Sequence, residues 1–254
     1  MSALRVHSFL GARALPHYVA VGALVARRSG LDAAPCTEPG LRNLDEVLAA
    51  PGPALLFLCG LPYVRARDAG VAVEPIAGAI PQGEHTPCYF ASLVTRAGLG
   101  ATSVGDLLGL RIGFNGKDSL SGYVLPASAL VDERPPRLYD GATRTGSHAS
   151  SLRMLAAGEL DAAAIDSTVL ALEARADPAI AALPVLERFG PAPIPPVVLL
   201  HGTPALADAL RDALLALGDS GEGRAALELG LIERYVAVDD ARYDAVRAMD
   251  AAVR

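Results

Sequence analysis

Apolar and polar positions change in short blocks along this chain, and the block lengths predict its elements. Residues 4–10 (LRVHSFL), 54–60 (ALLFLCG) and 71–77 (VAVEPIA) have the length and apolar content of strands. Residues 16–29 have helical spacing and stop at Gly30, and 44–50 (LDEVLAA) form a shorter helix. This alternation predicts an α/β architecture with a largely parallel sheet. It recurs further on. Residues 88–97 (CYFASLVTRA) predict a long strand, and 103–109 a short helix with Ser103 as N-cap and Asp106 at the capping-box position. The strand RIGFNG follows. A helix after Ser147 runs to about Ala157 with Gly158 as its stop, and DAAAID predicts another strand. Beyond Thr203 the chain is helical apart from an extended piece at 234–240.

Two Gly/Pro-rich stretches, 78–87 (GAIPQGEHTP) and 191–199 (PAPIPPVVL), interrupt the alternation and predict crossovers. They divide the chain into a discontinuous first lobe, 1–82 plus 197–254, and a second lobe, 83–196. Two α/β lobes joined by two hinge segments are expected to hold a small ligand in the cleft between them.

Composition narrows the partners. The 254 residues are 52% apolar with a mean hydropathy of +0.34, ample for a core, yet no apolar run reaches the roughly 18 residues of a membrane helix. The net charge is −6 and the sole lysine is Lys117, so neither nucleic acid nor membrane insertion is expected. Cys36, Cys59 and Cys88 are odd in number and lack a CxxC pair, so they read as buried thiols rather than a disulfide or zinc framework. The five histidines show no metal-ligand spacing, and neither a metal nor a cofactor is expected. The N-terminal MSALRVHSFLGARALPHYVA has no export-signal arrangement and reads as a strand running into a helix, so the compartment is left open to the cytoplasm.

The candidate chemistry centres on FNGKDSLSGYVLP, 114–126. Ser119, Ser121, Gly122 and Tyr123 stand where a strand turns into a helix. A helix N-terminus presents unpaired N–H groups and partial positive charge, which hydroxyls either cap or extend into an anion site. A second serine-rich helix start, GSHASS, follows about 27 residues later and offers Ser147 and His148. Asp166 ends an apolar strand, either capping the next helix or recognising a ligand cation or hydroxyl. Tyr89 on the long strand, Tyr63 after a first-lobe strand and Tyr18 near the first helix start are further candidates for lining a ligand.

The succession FLCGLPYV, CYFASLVTR, LLGLRIGFNGKDSLSGYVLP, GSHASSLRMLAAGELDAAAIDS and GLIERYVAVDDARYDAVRAM resembles the phosphate/phosphite/phosphonate-binding branch of the type II periplasmic binding proteins, the ligand-capturing components of ABC importers. The resemblance implies a two-lobe fold and capture of a small oxyanion. It places the head group on the turn Ser119–Leu120–Ser121–Gly122–Tyr123 and on Ser147 and His148, with Asp166 at the ligand's other end and Tyr89 as the strand aromatic. Leu120 stands where phosphonate binders carry a hydroxyl, and APIPP supplies no second acid. An ABC permease is the implied partner, the protein itself being a monomer. The expected function is binding rather than catalysis. The alternative is a cytoplasmic enzyme or ligand sensor on the same fold, such as a chorismate dehydratase-like biosynthetic enzyme, with His148 and Asp166 as its acid and base.

Overall fold

A computed structural model describes residues 3–34, 43–130 and 137–253. Cys36 lies outside them. The chain divides into two compact units, Met1–Cys88 with Pro193–Asp244, and Tyr89–Ala192 with Ala245–Arg254. Among the described residues no helix is long and apolar enough to cross a membrane.

The first unit begins with β1 (Arg5–Ser8), α1 (Leu15–Arg28), α2 (Leu44–Ala49), β2 (Ala54–Phe57), α3 (Gly60–Asp68) and β3 (Val73–Pro81). The second unit follows with β4 (Cys88–Thr95), β5 (Ile112–Phe114), α4 (Leu125–Ala129), β6 (Thr143–Arg144), α5 (His148–Ala156), β7 (Ala162–Asp166), α6 (Ser167–Ala176), α7 (Pro178–Ala181) and β8 (Val185–Pro193). The chain then returns to the first unit with β9 (Pro196–Leu200), α8 (Pro204–Leu215), α9 (Gly221–Glu228) and β10 (Ile232–Val236), and ends in α10 (Asp244–Val253).

Each unit has one five-stranded sheet among the described residues, in the orders β1-β2-β9-β3-β10 and β6-β5-β7-β4-β8. The expectation of a largely parallel sheet is corrected here. In the first sheet only β1–β2 is parallel, while β2–β9, β9–β3 and β3–β10 are antiparallel. In the second, β5 is parallel to both β6 and β7, and β7 is antiparallel to β4. Parallel neighbours need a crossover helix between them. β9 enters the first sheet from a strand of the other unit, so no such helix fixes its direction.

The two Gly/Pro-rich stretches are largely strand rather than loop. β3 continues through Gly78 to Pro81, and β8 and β9 take up almost all of the second stretch. Proline at a strand end or edge removes one ladder donor without breaking the strand.

Burial explains which strands were legible. All residues of β2, β7 and β9 are buried, as central strands covered on both faces must be. β8 lies at the sheet edge and is mostly exposed, with no apolar alternation to reveal it. Gly158 ends α5 at φ +73°, a conformation that costs glycine little. The core of the second unit gathers Val94, Leu152, Leu155, Ala163 and Ile165 between β4, β7 and α5. At the end of these strands remote from the serine-rich turns, Asp161 accepts from Arg96 Nε at 2.7 Å and from Arg111 Nη2 at 2.9 Å, tying β4 and β5 to β7.

Candidate functional site

The carboxyl ends of β5 and β7 bring the second unit's candidates together. β5 ends at Phe114, and the chain reaches a π-helical turn, Leu120–Val124, that leads directly into α4. The turn closes by an i→i+5 bond, Val124 N–H to the Ser119 carbonyl at 3.2 Å. That spacing leaves one more N–H without an intrahelical acceptor than an α-helical start does. Pro126 has no N–H to offer the Gly122 carbonyl four residues back, and the Tyr139 hydroxyl donates to that carbonyl instead.

Ser119 is the N-cap. Its Oγ accepts the Gly122 N–H at 3.0 Å. Capping uses a lone pair of the oxygen and leaves the hydroxyl proton available, so capping and anion contact are compatible at this residue. Leu120 is fully buried, and its side chain packs inward. Ser121 is 2% exposed, and its Oγ lies 3.2 Å from His148 Nε2. Gly122 is required by close approach. A Cβ there would stand 1.8 Å from Asn115 Oδ1 and 3.0 Å from His148 Cε1. Tyr123 stacks obliquely on Tyr139, with ring centroids 4.8 Å apart, and both rings meet Phe114.

The second helix start reaches the same place. Ser147 caps α5, accepting the Ser150 N–H at 3.1 Å. Ser151 is fully buried, and its Oγ lies 2.7 Å from Thr145 Oγ1, which in turn is 3.1 Å from the Phe114 carbonyl. These hydroxyls hold the first turn of α5 against the end of β5. His148 thereby meets Ser121. Burial disfavours the charged imidazole and lowers its pKa, while the Asp166 carboxylate and the Ala164 carbonyl oppose that shift. Its Nδ1 is buried and, among the described residues, makes no well-aligned hydrogen bond.

Asp166 is buried at the end of β7. Its Oδ1 accepts from Thr168 N–H at 2.8 Å, Thr168 Oγ1 at 2.6 Å and Val169 N–H at 3.3 Å, so it caps α6. Tyr89 lies on β4 and is 1% exposed; β4 pairs with β7 through Ala91 and Asp166. Next to it, the Phe90 N–H donates to Ser167 Oγ.

Tyr63 and Tyr18 belong to the first unit, so they are not part of this cluster. Tyr63 is fully buried in α3, donates its hydroxyl to Asp240 and packs edge-on against Tyr243. Tyr18 is half-buried on α1, with its ring 4.5 Å from that of Phe57. Cys59 is half-buried and Cys88 buried. Among the described residues no group of three or more His, Cys, Asp or Glu is placed to hold a metal ion.

Two residues of the cluster carried no sequence signal. Asn115 reads as an ordinary turn residue, yet its buried Oδ1 packs on Gly122 and has no hydrogen-bond partner among the described residues. Tyr139 stands far from the motif in the chain and completes its hydrogen bonding from outside.

The family model described as "ABC transporter, phosphonate, periplasmic substrate-binding protein" matches residues 53–243, which include every residue of this cluster. The chain belongs to this family. No curated protein matches it. Among solved structures, the fold of this phosphonate-binding family member is similar to a binding protein component of an ABC phosphonate transporter from Pseudomonas aeruginosa, with TM-score 0.82 and 16% identity over 98% of this chain and 85% of that one. It is also similar to PhnD1 from Prochlorococcus marinus in complex with methylphosphonate, with TM-score 0.81 and 15% identity over 98% and 97% of the two chains. A third similar structure is XAC2383 from Xanthomonas citri bound to ATP, with TM-score 0.74 and 17% identity over 100% and 97%. The fold is that of the type II periplasmic binding proteins, and the family is a periplasmic one.

Proposed function

We propose that this chain captures a small phosphorus oxyanion, of the phosphate, phosphite or phosphonate class, and delivers it as a monomer to an ABC permease. The observation that carries this reading is the 3.2 Å contact between Ser121 Oγ and His148 Nε2, which joins two serine-capped helix starts. Two helix N-termini meeting at one point supply N–H donors and partial positive charge to one set of oxygens. The hydroxyls of Ser119, Ser121 and Ser147 add donors, and Leu120 adds its N–H. Asp166 keeps Oδ2 for an amine or hydroxyl at the ligand's other end, since its capping bonds use Oδ1. Tyr89 is assigned to the same end of the ligand. Family membership supports the phosphonate class, and one structural relative holds methylphosphonate.

A thermal-shift series with phosphate, phosphite, methylphosphonate, 2-aminoethylphosphonate, sulfate and carboxylates tests the reading. A ligand at a hundred times its dissociation constant adds about 2.7 kcal/mol, a shift of several degrees. A shift selective for phosphorus oxyanions is expected, and a shift with carboxylates alone would overturn it.

A further inference from the structure

Ser121 has a single hydroxyl proton, and what His148 does with Nε2 decides where that proton points. If Nε2 is bare, it accepts the Ser121 proton across 3.2 Å, and Ser121 has nothing left to donate to an anion. If Nε2 carries a proton, the bond reverses. The imidazole donates to Oγ, and the hydroxyl proton turns to another acceptor.

Two forms of the ring carry a proton on Nε2. One is the neutral tautomer with a bare Nδ1. That nitrogen is buried and meets no hydrogen-bond donor among the described residues, and the carbonyl facing the ring, that of Ala164, favours a protonated imidazole rather than a lone pair. The other form is the imidazolium, in which both nitrogens are donors.

We propose that His148 is the switch that sets the direction of the Ser121 hydrogen bond, and that capture of the oxyanion takes up one proton on its imidazole. The proposal rests on the phosphorus-oxyanion reading above. Burial keeps the ring neutral while the site is empty, and Asp166 on β7 pulls it towards the cation without prevailing. A bound oxyanion adds a second negative charge and tips the balance. Among the described residues, the groups set against the ring from the turn and from β5 are neutral. From the turn come Ser121 and the Cα of Gly122, and from the end of β5 comes Asn115, whose Oδ1 meets the same face of Gly122 as His148 Cε1. The Tyr139 hydroxyl beside them stays protonated, because burial raises its pKa beyond the ordinary phenol range. On α5 itself Ser147 and Ser151 are neutral, and Arg153 is exposed and bonded to Ser150. His148 is therefore a positioning residue that acts through Ser121, and Ser121 is the donor that touches the ligand.

The test is calorimetric titration of methylphosphonate into the wild-type chain and His148→Gln, from pH 6 to 8, in buffers of different ionisation enthalpy. The glutamine amide donates to Ser121 without titrating, so the ligand's own ionisation is common to both proteins. The wild type should take up about one proton more than the variant, and the ratio of wild-type to variant affinity should fall by up to about tenfold per pH unit. Equal proton uptake in two proteins that both bind would overturn the coupling and leave the site reading intact. If the variant fails to fold or bind, the ring nitrogens of wild-type His148 are read by 15N NMR with methylphosphonate bound. Two protonated nitrogens support the proposal, and a neutral ring overturns it. A wild-type chain that binds none of methylphosphonate, phosphite and phosphate overturns the site reading, and the coupling with it.

Discussion

The Tyr139 hydroxyl donates to the carbonyl of Gly122 at 3.2 Å, the backbone acceptor that Pro126 cannot serve. Tyr139→Phe keeps the ring cluster with Phe114 and Tyr123 but leaves a buried carbonyl unpaired. The expected cost is about 1–2 kcal/mol, seen as a fall of a few degrees in Tm. An unchanged Tm would mean that the carbonyl finds another donor.

Ser119 is assigned two separable tasks. Ser119→Ala removes the cap and should cost about 1 kcal/mol, with loss of oxyanion affinity. Ser119→Asp restores an N-cap acceptor but sets a negative charge against the ligand. Denaturant midpoints near those of the wild type, together with loss of methylphosphonate binding, are expected for the aspartate variant. Retained binding would remove Ser119 from the ligand's contacts.

Gly122→Ala places a methyl group within 1.8 Å of Asn115 Oδ1. The side chains of Asn115 and His148 must then move, which separates His148 from Ser121. Loss of methylphosphonate binding by at least about tenfold is expected in titrations, alongside destabilisation of about 1–3 kcal/mol by overpacking. Wild-type affinity would show that the close approach of these three residues is dispensable.

His17 gives the first unit a pH dependence of its own. Its Nδ1 faces the Ala226 carbonyl at 2.7 Å, which can only accept, so Nδ1 carries the proton and Nε2 accepts from the Tyr235 hydroxyl at 2.8 Å. Burial lowers its pKa from the ordinary 6.5 to about 4. Between these values the unfolded chain binds more protons than the folded one, so stability rises with pH across this window. It is fully present above pH 6.5 and lost as pH falls towards 4. The total is about 3 kcal/mol. Urea midpoints of wild type and His17→Gln at pH 7 and pH 4.5 measure it, and parallel declines in the two proteins would refute the assignment.

The Asp161 cluster supplies a control remote from the site. Asp161→Asn weakens the bonds from Arg96 and Arg111 and should cost about 1–2 kcal/mol, because both arginines are partly exposed and water compensates them. Methylphosphonate affinity should not change.

Sequence patterning revealed elements where burial imposes a clean signal. The apolar run DAAAID is β7, the stops at Gly30 and Gly158 end α1 and α5, and Asp106 does accept the Ser103 N–H at 3.0 Å. It failed where direction or partner comes from distant chain. Strand polarity is invisible in β9, because antiparallel and parallel buried strands share one composition. β8 was missed because an exposed edge strand has no apolar rhythm. In the site, capping residues were legible as types but not in role: Ser119, Ser147 and Asp166 all cap helices, and their local sequence looks the same with or without a ligand. Asn115 and Tyr139 matter through their contacts with Gly122, which no motif spacing encodes.

The strand order of the first sheet bears on how the chain comes into being. β2 and β3 are both complete by residue 81, yet β9 lies between them, and β9 is not made until residue 200. A nascent chain therefore carries two buried-type strands with their shared partner missing throughout synthesis of the second unit. The second sheet, β4 to β8, is contiguous in sequence and has all its strands by residue 193. During vectorial synthesis the sheet of the inserted unit can reach its native pairing first, and the sheet whose strands open the chain is the last to close.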